Sequence, residues 1–231
     1  MTAASTGLNE KTARAAGIRY DKAITYSASH ASYYPGAHNM VVKTLFDPLD
    51  GRILGAQIIG FDGVDKRMDV LATAIRAGMT AEQLTELDLA YAPPYSSAKD
   101  PVNMAGYVIE NIRSGLVKQH YWDDVARLPR DGSVTLLDVR TAAEVSSQGR
   151  VRDDAVNIPL DELRSRLNEL DPHKPVYVNC YSGQRSYLAC RILSQHGFDC
   201  SNLAGGWRFW SYAATDRTHD AAPTHTCGVR L

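Results

Sequence analysis

From about Lys118 the chain alternates two kinds of segment, and this alternation limits its fold more than any other feature. "SVTLLDVR", "KPVYVN" and "CSNLAGG" are short, largely apolar runs of the kind found in strands covered on both faces. Between them, "LDELRSRLNEL" and "RSYLACRILSQHG" carry apolar residues at helical spacing. Strands separated by helices build a parallel sheet with helices packed on it, and functional groups collect beyond the carboxyl ends of its strands. Cys180 stands at such an end, directly after "VYVN".

The first half has a different rhythm. "HNMVVKTLF" and "RILGAQIIG" flank "DPLDG", whose Pro, Asp and Gly form turns, so the pair predicts an antiparallel hairpin. Val64, Met68, Leu71, Ala72 and Ile75 then recur at helical spacing, with Gly78 as the stop. In "SAKDPVNMAGYVIENIRSG", Asp100 caps a second helix and Pro101 takes its first position. Val102, Ala105, Val108, Ile109 and Ile112 form its stripe, and Gly115 ends it. Strands followed by helices predict an α+β layer, with a boundary to the alternating part between Arg113 and His120.

A chain of 231 residues with 44% apolar content can bury a core in one large or two modest domains. Its net charge is -1 with the signs interspersed, which argues against nucleic acid or an anionic membrane as partner. The longest apolar runs, such as "ILGAQIIGF", are well short of the roughly 20 residues of a membrane span. "MTAASTGLNEK" lacks the apolar core of a signal peptide, so the expected location is cytoplasmic. The four cysteines, Cys180, Cys190, Cys200 and Cys227, show no Cys-x-x-Cys spacing and read as separate reduced thiols.

Cys180 is the one that carries chemistry. The loop Tyr181, Ser182, Gly183, Gln184, Arg185 runs into a helix beginning near Ser186. A helix start presents unpaired N–H groups and a partial positive charge, so an anion at Cys180 is stabilised there and the thiolate becomes the nucleophile. Gly183 permits the tight curl, and Arg185 supplies a forked cation suited to an anionic donor. Cys190, within the helix stripe, and Cys200, at the start of a strand, read as small buried hydrophobes. This geometry serves both phosphate-ester cleavage and sulfane-sulfur transfer.

"LLDVRTAAEV", "VNIPLDEL", "YVNCYSGQRS" and "NLAGGWRFW" resemble, in order and spacing, a single-domain rhodanese module over about Tyr121 to Tyr212. Cysteine phosphatases carry one residue more between Cys and Arg than the four here, Tyr181, Ser182, Gly183 and Gln184. In that comparison the shorter loop suits sulfur and counts against a phosphatase or arsenate reductase. The resemblance implies attack by Cys180 on a sulfane donor, a Cys180 persulfide cradled from Tyr181 to Ser186, and transfer to a thiol or cyanide. Asp138 and Arg140 are expected to orient the loop as an ion pair. Such modules usually read Gly-His-Ile before "NIPL"; here the segment is Gly149, Arg150, Val151 followed by "RDDAV".

"HASYYPGAHNM", "GVDKRMDVLATAI" and "AYAPPYSSAKDPVNMAGYV" resemble the C-terminal dimerisation domain of the coenzyme A-disulfide reductase group of flavin enzymes, over about Ala3 to Ser114. That resemblance implies a homodimer, with Tyr33 and Tyr91 reaching a disulfide site of the other subunit; Tyr34 and Tyr95 are neighbouring alternatives. Relatives of full length bind FAD and NAD(P)H. This chain has no Gly-x-Gly-x-x-Gly and no cysteine before Cys180, so no cofactor is expected in it.

The expected architecture is therefore an α+β dimerisation domain, antiparallel sheet with helices, over residues 1–115, then an α/β rhodanese domain with a parallel sheet over 119–218, then a tail, 219–231. The chain reads as the C-terminal part of a larger reductase or a separate subunit of one. The expected function is a rhodanese-type sulfurtransferase in a CoA-disulfide or persulfide reductase-like system, taking small sulfane-sulfur donors and thiol acceptors. The alternative is a non-catalytic dimerisation or docking subunit for a flavoprotein. His219, His225 and Cys227 in the polar tail are weak candidates for metal, and no metal site is expected. His30 and His38, flanking "YYPG", read as polar groups lining a turn.

Overall fold

The computed structural model describes residues 1–216; His219, His225 and Cys227 lie outside them. By its internal contacts the chain separates into two units, Met1–Lys118 and a second beginning at Gln119.

The first unit runs β1 (Thr2–Gly7), α1 (Glu10–Ala15), β2 (Asp21–Ala28), β3 (Asn39–Phe46), β4 (Ile53–Gly60), α2 (Val64–Arg76), α3 (Ala81–Thr85) and α4 (Pro101–Arg113). Its sheet has the order β1-β4-β3-β2, antiparallel throughout. The hairpin around "DPLDG" is β3 paired with β4, with Val42 opposite Ile58. Asp47 closes the turn by accepting the Leu49 N–H on its side chain at 2.8 Å and the Gly51 N–H on its carbonyl.

α2 packs on β1 and β4, α4 on β2 and β3, and α3 on α4. The core between helices and sheet includes Met40, Val42, Phe46, Ile58, Leu71, Leu84, Val102 and Ile109, all buried. α4 starts where its residues dictate: Asp100 accepts the Val102 N–H at 3.0 Å, Pro101 needs no N–H partner, and Asn103 returns the bond to the Asp100 N–H.

In the first unit four elements, β1, α1, β2 and α3, go beyond the sequence-based expectation. β1 is an edge strand of small and hydroxylated residues, and its exposed and half-buried positions alternate without an apolar stripe. Its existence follows from pairing with β4 across six residue pairs.

From Lys118 onward the chain runs β5 (Lys118–His120), β6 (Thr135–Asp138), α5 (Ala142–Gln148), β7 (Val156–Asn157), β8 (Val176–Asn179), α6 (Gln184–Gln195), β9 (Cys200–Leu203) and α7 (Gly206–Asp216). The sheet order is β5-β9-β8-β6-β7, and β9, β8, β6 and β7 run parallel. His120 ties β5 to β9 through Ser201 Oγ at 3.0 Å, and burial holds its imidazole down to about 3.

"LDELRSRLNEL" corrects the expectation of an amphipathic helix. It forms two 3-10 turns, Leu160–Ser165 and Leu167–Glu169, broken at Arg166 with φ -119°. Only Leu163 of the segment is deeply buried before Leu170. With so little apolar surface to bury, a continuous helix has no packing to stabilise it.

Candidate functional site

β8 ends at Asn179, and Cys180 begins the loop into α6. Gly183 is the N-cap of α6 at φ 106°, a left-handed conformation that residues with a Cβ rarely adopt. That turn aims the Gly183 N–H at Cys180 Sγ, 3.1 Å away, and Ser186 Oγ on the first turn of α6 lies 3.2 Å from the same sulfur. The helix starts two residues earlier than the sequence pattern indicated, at Gln184, because the glycine itself serves as the cap.

The loop's carbonyls are drawn the other way. The Trp207 N–H donates to Cys180 O at 2.8 Å and the Arg208 N–H to Tyr181 O at 3.0 Å, so the start of α7 ties down the back of the loop. Gly206 makes this approach possible. A Cβ there would stand 2.7 Å from Cys180 O, Ser182 N and Tyr181 C, and its φ is +64°. The "GGW" segment is thus the floor of the cysteine loop.

Tyr181 stacks on Trp207 with ring centroids 6.1 Å apart. Arg208 lies over the rings of Tyr181 and Tyr212 and donates to both hydroxyls. Asp138 and Arg140 are both fully buried and joined at 2.7 Å. Arg140 also donates to Gly149 O at 2.7 Å and lies 5.0 Å from the Trp207 ring centroid. The pair thus links the end of β6 to the end of α5 and to α7, which itself holds the loop.

Arg185 stands differently from its sequence-based role as an open cation. Its guanidinium donates to both carboxylate oxygens of Glu144 on α5, at 2.7 and 2.6 Å. Arg185 holds Glu144 down to about 2, against partial burial. Sequence reasoning passed over Glu144, although a Glu three residues after Thr141 is the signal of a capping box, and the structure closes that box.

The segment that departs from the rhodanese pattern is fixed by its arginines. Arg150 Nη1 donates to Ala155 O at 2.6 Å, and Arg152, 7% exposed, donates to Leu128 O and Pro129 O at 3.0 Å and pairs with Asp154. Cys190 and Cys200 face each other. Hydrogen bonding of the neutral Cys190 thiol with the Cys200 side chain, followed by burial, pushes the Cys190 thiol strongly up and keeps it neutral.

In the first unit Tyr33 and Tyr91 come together, their hydroxyls hydrogen bonded so that Tyr33 is pushed above the ordinary tyrosine range. They are 76% and 50% exposed; Tyr95 is 68% exposed, and Tyr34 is turned edge-on to the buried His30. The two loops are joined by the Ala31 N–H, which donates to Pro93 O and Ser96 O. Arg67 on α2, unforeseen from sequence, bonds Ser29 O at 2.7 Å, Ser96 Oγ at 3.2 Å and Asp100 at 2.9 Å. Among the described residues no helix is long and apolar enough to cross a membrane, and no cluster of His, Cys, Asp or Glu is arranged to hold a metal ion.

A strand, a cysteine at its end, a glycine-capped helix behind it and a parallel sheet define a rhodanese-like domain, and residues 122–213 match that family model. Residues 1–101 match the pyridine nucleotide-disulphide oxidoreductase dimerisation domain. The chain therefore joins a dimerisation domain of that kind to a rhodanese-like domain.

It is similar to the reduced CoADR-RHD of Bacillus anthracis, with 45% identity and a TM-score of 0.89, over 93% of this chain and 38% of that one. It is also similar to a NAD-dependent persulfide reductase from A. fulgidus, with 41% identity and a TM-score of 0.80, over 90% of this chain and 37% of that one. A coenzyme A disulfide reductase of Staphylococcus haemolyticus is 46% identical over 86 residues, 37% of this chain and 20% of that protein. The chain thus spans about a fifth of the length of the curated relatives it matches.

Proposed function

We propose that this chain is a sulfurtransferase that carries sulfane sulfur as a persulfide on Cys180, within a CoA-disulfide or persulfide reductase-like system. The observation that carries the reading is the convergence of the Gly183 N–H and Ser186 Oγ on Cys180 Sγ at the start of α6. Donors so placed, with the helix dipole behind them, stabilise negative charge on that sulfur and on a second sulfur bound to it. Cys180 is 1% exposed, so a slim terminal sulfur reaches it more readily than a bulky group.

The thiolate attacks the outer sulfur of the donor; the donor S–S bond breaks and its electron pair leaves with the remainder of the donor. An acceptor thiolate or cyanide then takes that outer sulfur and regenerates the Cys180 thiolate. Neither domain carries a glycine-rich dinucleotide fingerprint, and in this reading reduction of the acceptor product would fall to flavin-bearing domains of the larger system.

The test is incubation with a sulfane donor, followed by intact mass and by thiocyanate assay after cyanide. One added sulfur atom on Cys180, discharged by cyanide, is the expected result; no adduct leaves the docking-subunit reading. Gly206→Ala should lower the transfer rate by about 100-fold, because its Cβ forces the floor of the loop away from a sulfur that must be placed to within about 1 Å. An unchanged rate would show that α7 does not set the loop.

The first domain is proposed to pair two copies of the chain, supported by its family match and by the exposed Tyr33, Phe61, Tyr91 and Tyr95. Sedimentation at micromolar concentration should give about twice the 25.4 kDa chain mass. A monomer alone would overturn this.

A further inference from the structure

We infer that Glu144 determines which donors the Cys180 site accepts, by cancelling the charge of Arg185 and so disfavouring donors that carry two negative charges. The inference rests on the persulfide-carrier reading of Cys180 and adds to it a residue that sets donor selectivity.

Arg185 sits one residue into α6, close enough to Cys180 for the two charges to act on each other. Left open, it would draw a dianion to the sulfur. Its fork is instead closed on Glu144 by two short, parallel hydrogen bonds. The carboxylate is itself anchored. The Thr141 N–H donates to Glu144 Oε2 at 2.9 Å and Thr141 Oγ1 at 3.1 Å. A ligand that sought Arg185 would have to displace a partner held from two sides. Arg185 and Glu144 are 34% and 27% exposed, so an arriving donor meets both charges. The nearby Asp138 and Arg140 cancel in the same way, in a fully buried pair.

The two donor types differ in what they ask of this site. With thiosulfate, a thiolate and a dianion must meet; the Cys180 thiolate takes the outer sulfur, and sulfite leaves with the electron pair of the broken S–S bond. With an organic persulfide, R–S–SH, the thiolate takes the terminal sulfur with its proton and a thiolate RS⁻ leaves, so one negative charge is present throughout. A site whose loop cation is neutralised favours the second reaction.

Glu144→Gln tests this. The amide keeps an acceptor for the Thr141 cap and removes the charge. Rates of Cys180 sulfuration are measured with thiosulfate and with a small alkyl persulfide, by rapid quench and intact mass. The ratio of kcat/KM for thiosulfate to that for persulfide should rise about tenfold in the variant, through the KM for thiosulfate, and a ratio does not depend on how much of the sample is folded.

A second measurement uses the unaltered protein. Adding inert salt should leave its rate constant with thiosulfate level or raise it, whereas an open Arg185 would make that rate fall. A ratio unmoved by Glu144→Gln, or a steep fall with salt in the unaltered protein, overturns the role of Glu144 while sulfur transfer by Cys180 stands. Transfer from neither donor overturns the reading of Cys180 and this inference together.

Discussion

Cys180→Ser is expected to abolish sulfur transfer, with no sulfur adduct by intact mass and a loss in thiocyanate formation of about 1,000-fold or more. A hydroxyl is a far weaker acid than a thiol, so the helix start that stabilises a thiolate leaves the serine protonated and poorly nucleophilic. The substitution is nearly isosteric and keeps a partner for the Gly183 N–H and Ser186 Oγ, so the loop should hold its shape and the loss should fall on the chemistry. Cys190→Ala should keep full transfer, because Cys190 is buried against Cys200 and held neutral. Activity retained in Cys180→Ser and lost in Cys190→Ala would move the sulfur carrier from the loop before α6 to Cys190 within that helix.

How far the sequence reaches can be judged residue by residue. Asp100, Pro101 and Gly183 work through local backbone geometry, and each stands where its chemistry predicts: a cap, a first helical position and a left-handed turn. Cys180 is legible for the same reason, since a strand end followed by a helix start is itself a local pattern. What stays hidden depends on partners far away in the chain. Glu144 meets Arg185 across 41 positions, and Arg67 meets Asp100 across 33. Arg67 sits in the apolar stripe of α2, where hydropathy alone marks it as the wrong residue type. β1 is hidden in another way, because its pairing with β4 supplies what its composition lacks. "LDELRSRLNEL" shows the converse, a helical spacing with too little surface to bury.

The Arg67–Asp100 pair carries the largest expected effect on stability. Arg67 is 1% exposed and Asp100 2%, and the guanidinium bonds Asp100 through Nε and Nη2 while also holding Ser29 O and Ser96 Oγ. Asp100→Ala leaves that cation buried without its counterion and also uncaps α4, and removing one partner of such a pair costs about 3–5 kcal/mol. Against a domain stability of about 5–15 kcal/mol, urea or thermal melting should show the first unit largely destabilised while the second melts as before. Arg67→Met combined with Asp100→Ala should recover part of the loss, since no lone charge then remains buried. Strict additivity of the two would show that the charges are not coupled. The pH dependence follows from the same geometry. Burial pushes the Asp100 carboxyl up, but Arg67, the Val102 N–H and Ser96 together hold it below the ordinary aspartate range. A carboxyl depressed in the folded state adds stability that is complete above its unfolded pKa and is lost as pH falls through the folded one. The first unit should therefore keep this contribution at neutral pH and lose it only in acid, and the Arg67→Met/Asp100→Ala protein should show a shallower acid limb than the parent. Because Arg67 also bonds the carbonyl of Ser29 and the hydroxyl of Ser96, loss of the pair should loosen both tyrosine loops, detectable as a fall of the Tyr33 titration toward that of free tyrosine as its bond to Tyr91 opens.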